Sequence, residues 1–186
     1  MGAYKYIKEN FQQGYKERSD VLRARIAMWN SESSLTRIEK PTNVARAREL
    51  GYKDKQGVVV VRARIKKGLR KREKPRGGRK PSKSGRFFSR KKSLQAIAEE
   101  RSSRSYSNCE VLNSYYVGED GKSKYFEVML LDRDHGSITA DPLYSSMIGM
   151  RGRAFRGLTA SGKRHRGIVS RDGTRMGASV RQIERK

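Results

Sequence analysis

Lysine, arginine and glycine are concentrated in two stretches of this chain, and together these residue types suit phosphate binding. Residues 66–92 carry 14 Lys and Arg against one acidic residue, and residues 151–186 carry 11 against two. An arginine fork can grip a phosphate through two donors, while lysine supplies a point charge. Glycine lets the backbone approach a partner closely. Both stretches are therefore expected to bind a polyanion.

One segment matches most of a nucleotide-binding motif. Gly157-Leu-Thr-Ala-Ser-Gly162-Lys163 agrees with the first seven positions of a P-loop, but Arg164 stands where a Ser or Thr would bind magnesium. The preceding residues 151–156 are basic rather than a buried apolar strand. We therefore expect no nucleotide site in this segment.

Groups that could catalyse a reaction are few. The chain has two histidines, and one follows two aspartates in Asp132-Arg-Asp-His135. This stretch comes directly after a predicted strand and before Gly136, which favours a turn with self-bonding Asp side chains over a metal or acid–base site. His165 lies among Lys and Arg, which favours phosphate contact. The sequence therefore predicts neither an enzyme nor a bound cofactor or metal.

Composition points to the same class of partner. Lys and Arg total 44 and Asp and Glu 19, a formal net charge of +25. A compact chain with this surplus repels itself, and nucleic acid is the commonest polyanion that relieves such repulsion. No apolar run approaches the ~18 residues of a membrane span. The single Cys109 is predicted to be a buried apolar side chain, and the chain to be cytoplasmic.

The charge is distributed unevenly along the chain. Residues 1–65 hold 14 basic and 7 acidic residues, whereas residues 93–150 hold 5 and 9, a net of −4. We therefore expect a single body over residues 1–150, interrupted by a basic arm at 66–92 and followed by a basic C-terminal extension at 151–186.

Periodic segments in the body predict an α+β fold with a small, mainly antiparallel sheet, packed helices and long basic extensions. Ser93 is a plausible cap for a helix. Residues 111–117 and 125–131 read as two strands joined by a hairpin at 118–121, and residues 58–65 as a third strand. In the third strand Arg62 and Arg64 alternate with Ala63 and Ile65, which predicts one face open to solvent or RNA.

The N-terminal third is predicted to be helical. Tyr4, Ile7, Phe11 and Tyr15 form one stripe, and a second stripe ends at Trp29 after Ser19 or Asp20 as a cap. These stripes are interpreted as core. A short helix capped by Thr42 and closed by Gly51 is expected to follow.

The central arm, residues 66–92, shows no helix or strand period. Gly, Pro and Ser interrupt it and there is little apolar surface to bury, so we expect it to be unpacked without its partner. Phe87 and Phe88 are candidates for stacking on unpaired bases. A nuclear localisation signal, a heparin or membrane patch and a solubility loop remain alternatives, but the run is much longer than a localisation signal needs.

Several blocks, taken together, resemble one known family. They are residues 1–7 (MGAYKYI), 50–57 (LGYKDKQG), 98–101 (AEER), 111–120 (VLNSYYVGED), 126–128 (FEV) and 155–159 (FRGLT). In this order they are similar to large-subunit ribosomal protein fifteen of the archaeal and eukaryotic type, over essentially the whole chain. Where that family often has proline after the strand-ending Asp132, this chain has Arg133.

The resemblance implies a structural protein of the large ribosomal subunit, active in assembly and stability, without catalysis or cofactor. Its implied partners are large-subunit rRNA and neighbouring ribosomal proteins, with no membrane or small-molecule substrate. Combined with the charge pattern, it predicts an RNA-binding set on the body, the central arm and the C-terminal extension. On the body and central arm these residues are Lys53, Lys55, Arg62, Arg64, Lys66, Lys67, Arg70, Lys71, Arg72, Lys74, Arg76, Arg79, Lys80, Lys83, Arg86, Phe87, Phe88, Arg90, Lys91 and Lys92. On the C-terminal extension they are Arg151, Arg153, Arg156, Lys163, Arg164, His165, Arg166, Arg171 and Arg175.

Two other functions compete with this one. A free-standing RNA or DNA architectural protein would share the composition but would not need the acidic body. An RNA-processing enzyme would need convergent acids, a metal cluster or a base beside a nucleophile, and the sequence offers none. For the isolated chain, we expect both basic stretches to be protease-sensitive without RNA.

Overall fold

A computed structural model gives the fold of the chain. It describes residues 2–71, 77–81, 84–85, 87–88 and 92–168. Seven helices and six strands lie in these ranges, and the predicted α+β fold with an antiparallel sheet is confirmed.

The fold is organised around a four-stranded antiparallel sheet. Its strands are β1 (Leu35–Ile38), β2 (Val58–Lys66), β5 (Cys109–Glu119) and β6 (Ser123–Asp132), in the spatial order β1-β2-β6-β5. The three long strands match the segments predicted from alternation, and the turn between β5 and β6 lies at residues 120–122. Strand β1 is not predicted, because four residues are too few to show a period.

Apolar residues pack on both faces of this sheet. Trp29, Tyr125 and Met129 belong to one buried cluster, and Val128, Leu130 and Cys109 to the other. Strand β6 is an inner strand between β2 and β5, and its alternate side chains belong to the clusters on the two faces, so they are buried in both directions. This accounts for the nearly continuous apolar run of β6. Cys109 is buried as predicted, and burial raises the pKa of its thiol to about 11.

Helix α4 (Leu94–Ser105) covers one face of the sheet and is the best-predicted helix. Its N-cap is Ser93, whose hydroxyl accepts from the Ala96 amide at 3.1 Å. The side of α4 that faces the sheet holds small residues, including Ala96, Ala98 and Ser102, so the helix lies close to the strands.

The N-terminal helices differ from their predicted burial. Helix α1 (Ala3–Lys16) has no buried residue, and Tyr4, Ile7 and Tyr15 of its stripe are exposed. Lys8 of α1 reaches Glu49 at 2.7 Å. The interpretation as core is therefore wrong for Tyr4, Ile7 and Tyr15, because the sheet face is already covered by α2 (Asp20–Ser31). That helix begins after Ser19 as its cap and buries Trp29. Phe11 of the α1 stripe is half-buried and packs against the core cluster.

Four short helices lie outside the sheet, in the segments that follow β1 and β6 along the chain. They are α3 (Val44–Glu49), α5 (Gly136–Thr139), α6 (Pro142–Ile148) and α7 (Ala160–His165). Asn43 caps α3 in place of the expected Thr42, and Gly51 follows it with a φ of +97°. The predicted turn at residues 132–135 is confirmed, because Asp132 Oδ1 accepts from the Asp134 amide at 3.2 Å.

The central arm contains a small two-stranded sheet in its described residues. Strand β3 (Arg70–Lys71) pairs antiparallel with β4 (Phe87–Phe88). This pairing differs from the expectation of an arm without any strand, since the two halves of the arm run back along each other where these strands meet. The rest of the predicted loop at 72–76, 82–83, 86 and 89–91 lies outside the described residues.

None of the helices that the structure describes is both long and apolar enough to cross a membrane.

Candidate nucleic-acid interface

Residues 151–168 form a folded C-terminal lobe that packs on the body. The carboxylate of Glu110, buried on β5, accepts the backbone amides of Gly152 at 2.6 Å and Arg153 at 3.2 Å. Ala154 is buried in the cluster beneath α4. The boundary expected at residue 150 therefore does not separate this lobe from the body, and only residues 169–186 of the expected extension lie outside the described part.

A second buried carboxylate fixes the other half of the lobe. Glu99 on α4 accepts hydrogen bonds from the hydroxyls of Thr159 at 2.5 Å and Ser161 at 2.7 Å, and from the Ser114 hydroxyl on β5. Thr159 also caps α7, because its side chain accepts from the Gly162 amide. One carboxylate thus joins helix, sheet and lobe, and a buried charge with several donors is well satisfied.

The two glycines of the P-loop-like segment have a packing role. Gly157 has a φ of +64°, and a Cβ on Gly162 would lie 2.7 Å from the Gly157 Cα. The backbone of α7 therefore crosses the preceding turn too closely for any side chain. This geometry explains the glycine spacing without a bound nucleotide.

The cations of the lobe face solvent once these anchors are made. The segment has no Asp or Glu, so its positive charges are not neutralised within it. The exposed basic side chains are Arg151, Arg156, Lys163, Arg164, His165 and Arg166. Arg166 donates to the Arg156 carbonyl at 3.2 Å, which links the two ends of the lobe.

Arg153 differs from the other predicted contacts of the lobe. Its guanidinium is partly buried and donates to the Val111 carbonyl at 2.6 Å, and desolvation lowers its pKa. Its position fits a role in attaching the lobe to β5. Arg171 and Arg175 lie outside the described residues.

The two arginines of β2 differ in how far they are covered. Arg62 is 9% exposed, donates two bonds to Glu32 at 2.6 and 2.8 Å, and lies 4.7 Å from the centroid of the Trp29 ring. Arg64 donates to the Asn30 carbonyl. The expectation that this face is open to solvent or RNA is wrong for Arg62, because Trp29 of α2 and Glu32 cover it, whereas Arg64 is half-exposed.

The predicted lysines of the loop before β2 pair with a body carboxylate. Lys53 and Lys55 each lie 2.7 Å from Asp141 Oδ2, and both ammonium groups lie over the Tyr144 ring. These two side-chain hydrogen bonds hold the pKa of Asp141 well below its usual range. Lys53 is the more exposed of the pair.

The central arm leaves the body through paired lysines. Lys67 lies 3.1 Å from Glu119, and Lys92, just before α4, lies 2.5 Å from Glu100 in the middle of that helix. Lys66, Arg79 and Lys80 are exposed. Arg70 and Lys71 form β3, Phe87 and Phe88 form β4, and the Phe88 side chain is half-buried. The predicted contacts Arg72, Lys74, Arg76, Lys83, Arg86, Arg90 and Lys91 lie outside the described residues.

The residues that the sequence analysis overlooks are the acidic anchors. Glu99 and Glu110 look like ordinary surface carboxylates, yet both are buried and hold the basic lobe in place. A partial signal exists for Glu99, since it follows Ala96 at a spacing of three on the face of α4 that meets the sheet. For Glu110 the signal is its place in a strand buried on both faces.

No group of three His, Cys, Asp or Glu in the described ranges is arranged to hold a metal ion. His135 instead caps α5, and its Nδ1 accepts from the Ser137 amide at 3.2 Å.

Comparison with known proteins shows which family this chain is similar to. The family model described as Ribosomal L15 matches residues 2–185. The large ribosomal subunit protein eL15 of Metallosphaera sedula is 47% identical over 156 residues, covering 82% of this chain and 72% of that protein. The eL15 of Methanocorpusculum labreanum is 44% identical over 173 residues, covering 90% of this chain and 88% of that protein.

Proposed function

This chain belongs to the L15e family of large-subunit ribosomal proteins, and from that membership we propose that it binds large-subunit rRNA through its basic lobe and central arm. It is a structural protein of the cytoplasmic ribosome and not an enzyme. In this role it supports assembly and stability of the subunit, with rRNA and neighbouring ribosomal proteins as its partners.

The observation that carries the proposal is the C-terminal lobe. Its carboxylate anchors, Glu99 and Glu110, come from the body and are buried, whereas its basic side chains other than Arg153 are exposed and meet no acid within the segment. A rigid surface of this kind presents several charges in fixed positions, and each phosphate contact releases condensed counterions. The lobe is therefore suited to a folded RNA whose phosphates lie in a defined arrangement.

The central arm adds a second basic surface. Its two halves meet as β3 and β4, and Arg79 and Lys80 are exposed between them. The arm has 14 cations and one acid, so it can follow an RNA backbone at many phosphates. Arg62 and Arg153 are left out of the proposed contact set, because each is committed to partners inside the protein.

Sedimentation of a cell lysate tests this proposal. The protein is expected to travel with the large subunit on a gradient, and to stay there through a moderate salt wash that removes loosely bound factors. High salt should release it, since phosphate contacts weaken steeply with salt. Recovery of the protein free in the lysate, or bound to DNA, would overturn the proposal.

A further inference from the structure

We propose that the ring of Phe155, beside Arg104, is a stacking site for an unpaired RNA base. The site rests on the proposed function, which it deepens by adding base contact to phosphate contact. Phe155 belongs to the C-terminal lobe, and Arg104 lies in the last turn of α4.

The first ground for this site is exposure in an unusual setting. Phe155 is 48% exposed, although the residue before it, Ala154, is buried. A single exposed apolar side chain needs no explanation by itself. Here, however, the ring stands in a segment of 18 residues that contains six Lys and Arg and no acid.

The second ground is the guanidinium of Arg104, which lies 5.9 Å from the centroid of the Phe155 ring. An aromatic face and a guanidinium plane are the two protein groups on which nucleobases stack. The pair therefore offers a base a flat apolar surface and an adjacent cation. Exposed Arg151 and Arg156 lie within four residues along the chain and can take the flanking phosphates.

The third ground is rigidity. The Arg156 amide donates to the Gly152 carbonyl at 3.1 Å, and the Leu158 amide donates to the Arg153 carbonyl at 2.9 Å. Glu110 holds the amides of Gly152 and Arg153. Because the backbone on both sides of Phe155 is fixed, little conformational freedom is lost when a base stacks on the ring.

Fluorescence locates the base. In Phe155→Trp the new indole is exposed, whereas the native Trp29 is 2% exposed and shielded from a ligand. Addition of a short oligouridylate should quench this variant strongly and the wild type little. An oligomer with the same sugar–phosphate backbone but no bases should not quench it. Equal quenching by both oligomers, or none by either, would overturn the site.

Affinity measurements separate the ring from the charges. Phe155→Ala should bind oligouridylate about 5- to 100-fold more weakly than the wild type, the range expected for loss of one stacked base. Phe155→Tyr should restore binding, and the base-free oligomer should bind all three proteins equally. Leu143→Ala is the matched control, because Leu143 is 49% exposed but lies outside the lobe. Unchanged affinity in Phe155→Ala contradicts the inference.

The outcomes distinguish this site from the proposed function. If the wild type binds large-subunit rRNA with a steep salt dependence while Phe155→Ala loses nothing, only the stacking site is wrong. If the wild type fails to bind large-subunit rRNA at all, the proposed function itself is contradicted.

Discussion

At the residue scale, Glu99, Glu110 and Glu127 are buried carboxylates whose oxygens accept hydrogen bonds from hydroxyls and backbone amides. Burial of a carboxylate is costly unless such donors surround it. In this protein the arrangement has a second consequence. These three acids do not lie among the surface cations, so they hold the fold together without pairing with the exposed Lys and Arg.

Glu127 makes the stability of the fold depend on pH. It accepts from the Thr42 amide at 3.0 Å and from the hydroxyls of Thr42 and Tyr115, and burial raises its pKa above the usual value of 4.5. A carboxyl whose folded-state pKa is raised stabilises the fold in its protonated form. That contribution is complete below the unfolded-state pKa and is lost as pH rises through the folded-state pKa.

Glu127→Gln tests this dependence, because glutamine keeps a neutral side chain at every pH. The free energy of unfolding of the variant, minus that of the wild type, should increase as the pH rises from about 4 to 8, as measured by urea denaturation. Glu9→Gln, which changes an exposed carboxylate on α1, serves as the control, and its effect should remain small throughout. A difference for Glu127→Gln that does not vary with pH would refute the account of Glu127.

At the scale of elements, long periodic segments were predictable and short ones were not. Helix α4 and strands β2, β5 and β6 follow from alternation, spacing and the Ser93 cap. Helices α5 to α7 have four to seven residues, too few to reveal a period. Their positions depend on contacts between residues far apart in sequence, such as Glu99 with Thr159.

Burial was harder to predict than secondary structure. The apolar stripe of α1 has helical spacing, but α2 already covers the sheet, so Tyr4, Ile7 and Tyr15 stay exposed while Phe11 packs against the core cluster. Arg62 alternates as a surface residue would, yet Trp29 of α2 and Glu32, the residue that follows this helix, bury it. The C-terminal lobe reads as an arm by composition, because the carboxylates that fold it lie on α4 and β5. In each case the deciding partner lies on another element.

The attachment of the lobe gives a prediction at this scale. In Glu99→Ala the hydroxyls of Thr159 and Ser161 lose their acceptor, so the variant should be less stable by about 3 kcal/mol. Amide hydrogen exchange should rise at Gly162 and Lys163, whose amides bond to Thr159. In the wild type without RNA, the lobe should resist both amide exchange and proteolysis. For residues 151–168 this replaces the expectation, drawn from the sequence, that they are protease-sensitive.

The neighbouring Glu100 provides a matched control on the same helix. Glu100→Ala removes only the surface pair with Lys92, so it should cost at most about 1 kcal/mol and leave exchange in the lobe unchanged. Glu99→Gln, a smaller change, should show the same direction of effect as Glu99→Ala if the latter fails to fold. Indistinguishable lobe exchange in the Glu99 and Glu100 variants would contradict the anchoring role.

At the scale of the whole molecule, the formal net charge of +25 is distributed unevenly. Residues 93–150 of the body are acidic, and the positive charge lies mainly in the basic segments attached to it. In the fold, the body provides the packed support and the basic segments provide the exposed cations. Both faces of the sheet are covered by packed elements, which gives the lobe a fixed base. We therefore expect the exposed cations, and not the buried ones, to determine the affinity for the phosphate backbone of large-subunit rRNA.

The salt dependence of binding to large-subunit rRNA tests this claim most directly. A variant with Arg151, Arg156, Lys163 and Arg164 changed to Gln should keep the fold, because these side chains are exposed. Its slope of log affinity against log salt should be shallower than that of the wild type by about 3 to 4, near 0.9 per lost phosphate contact. Arg62→Gln removes a charge from the covered face of β2 and should leave the slope unchanged. An unaltered slope in the fourfold variant, or an equal change in Arg62→Gln, would contradict the account.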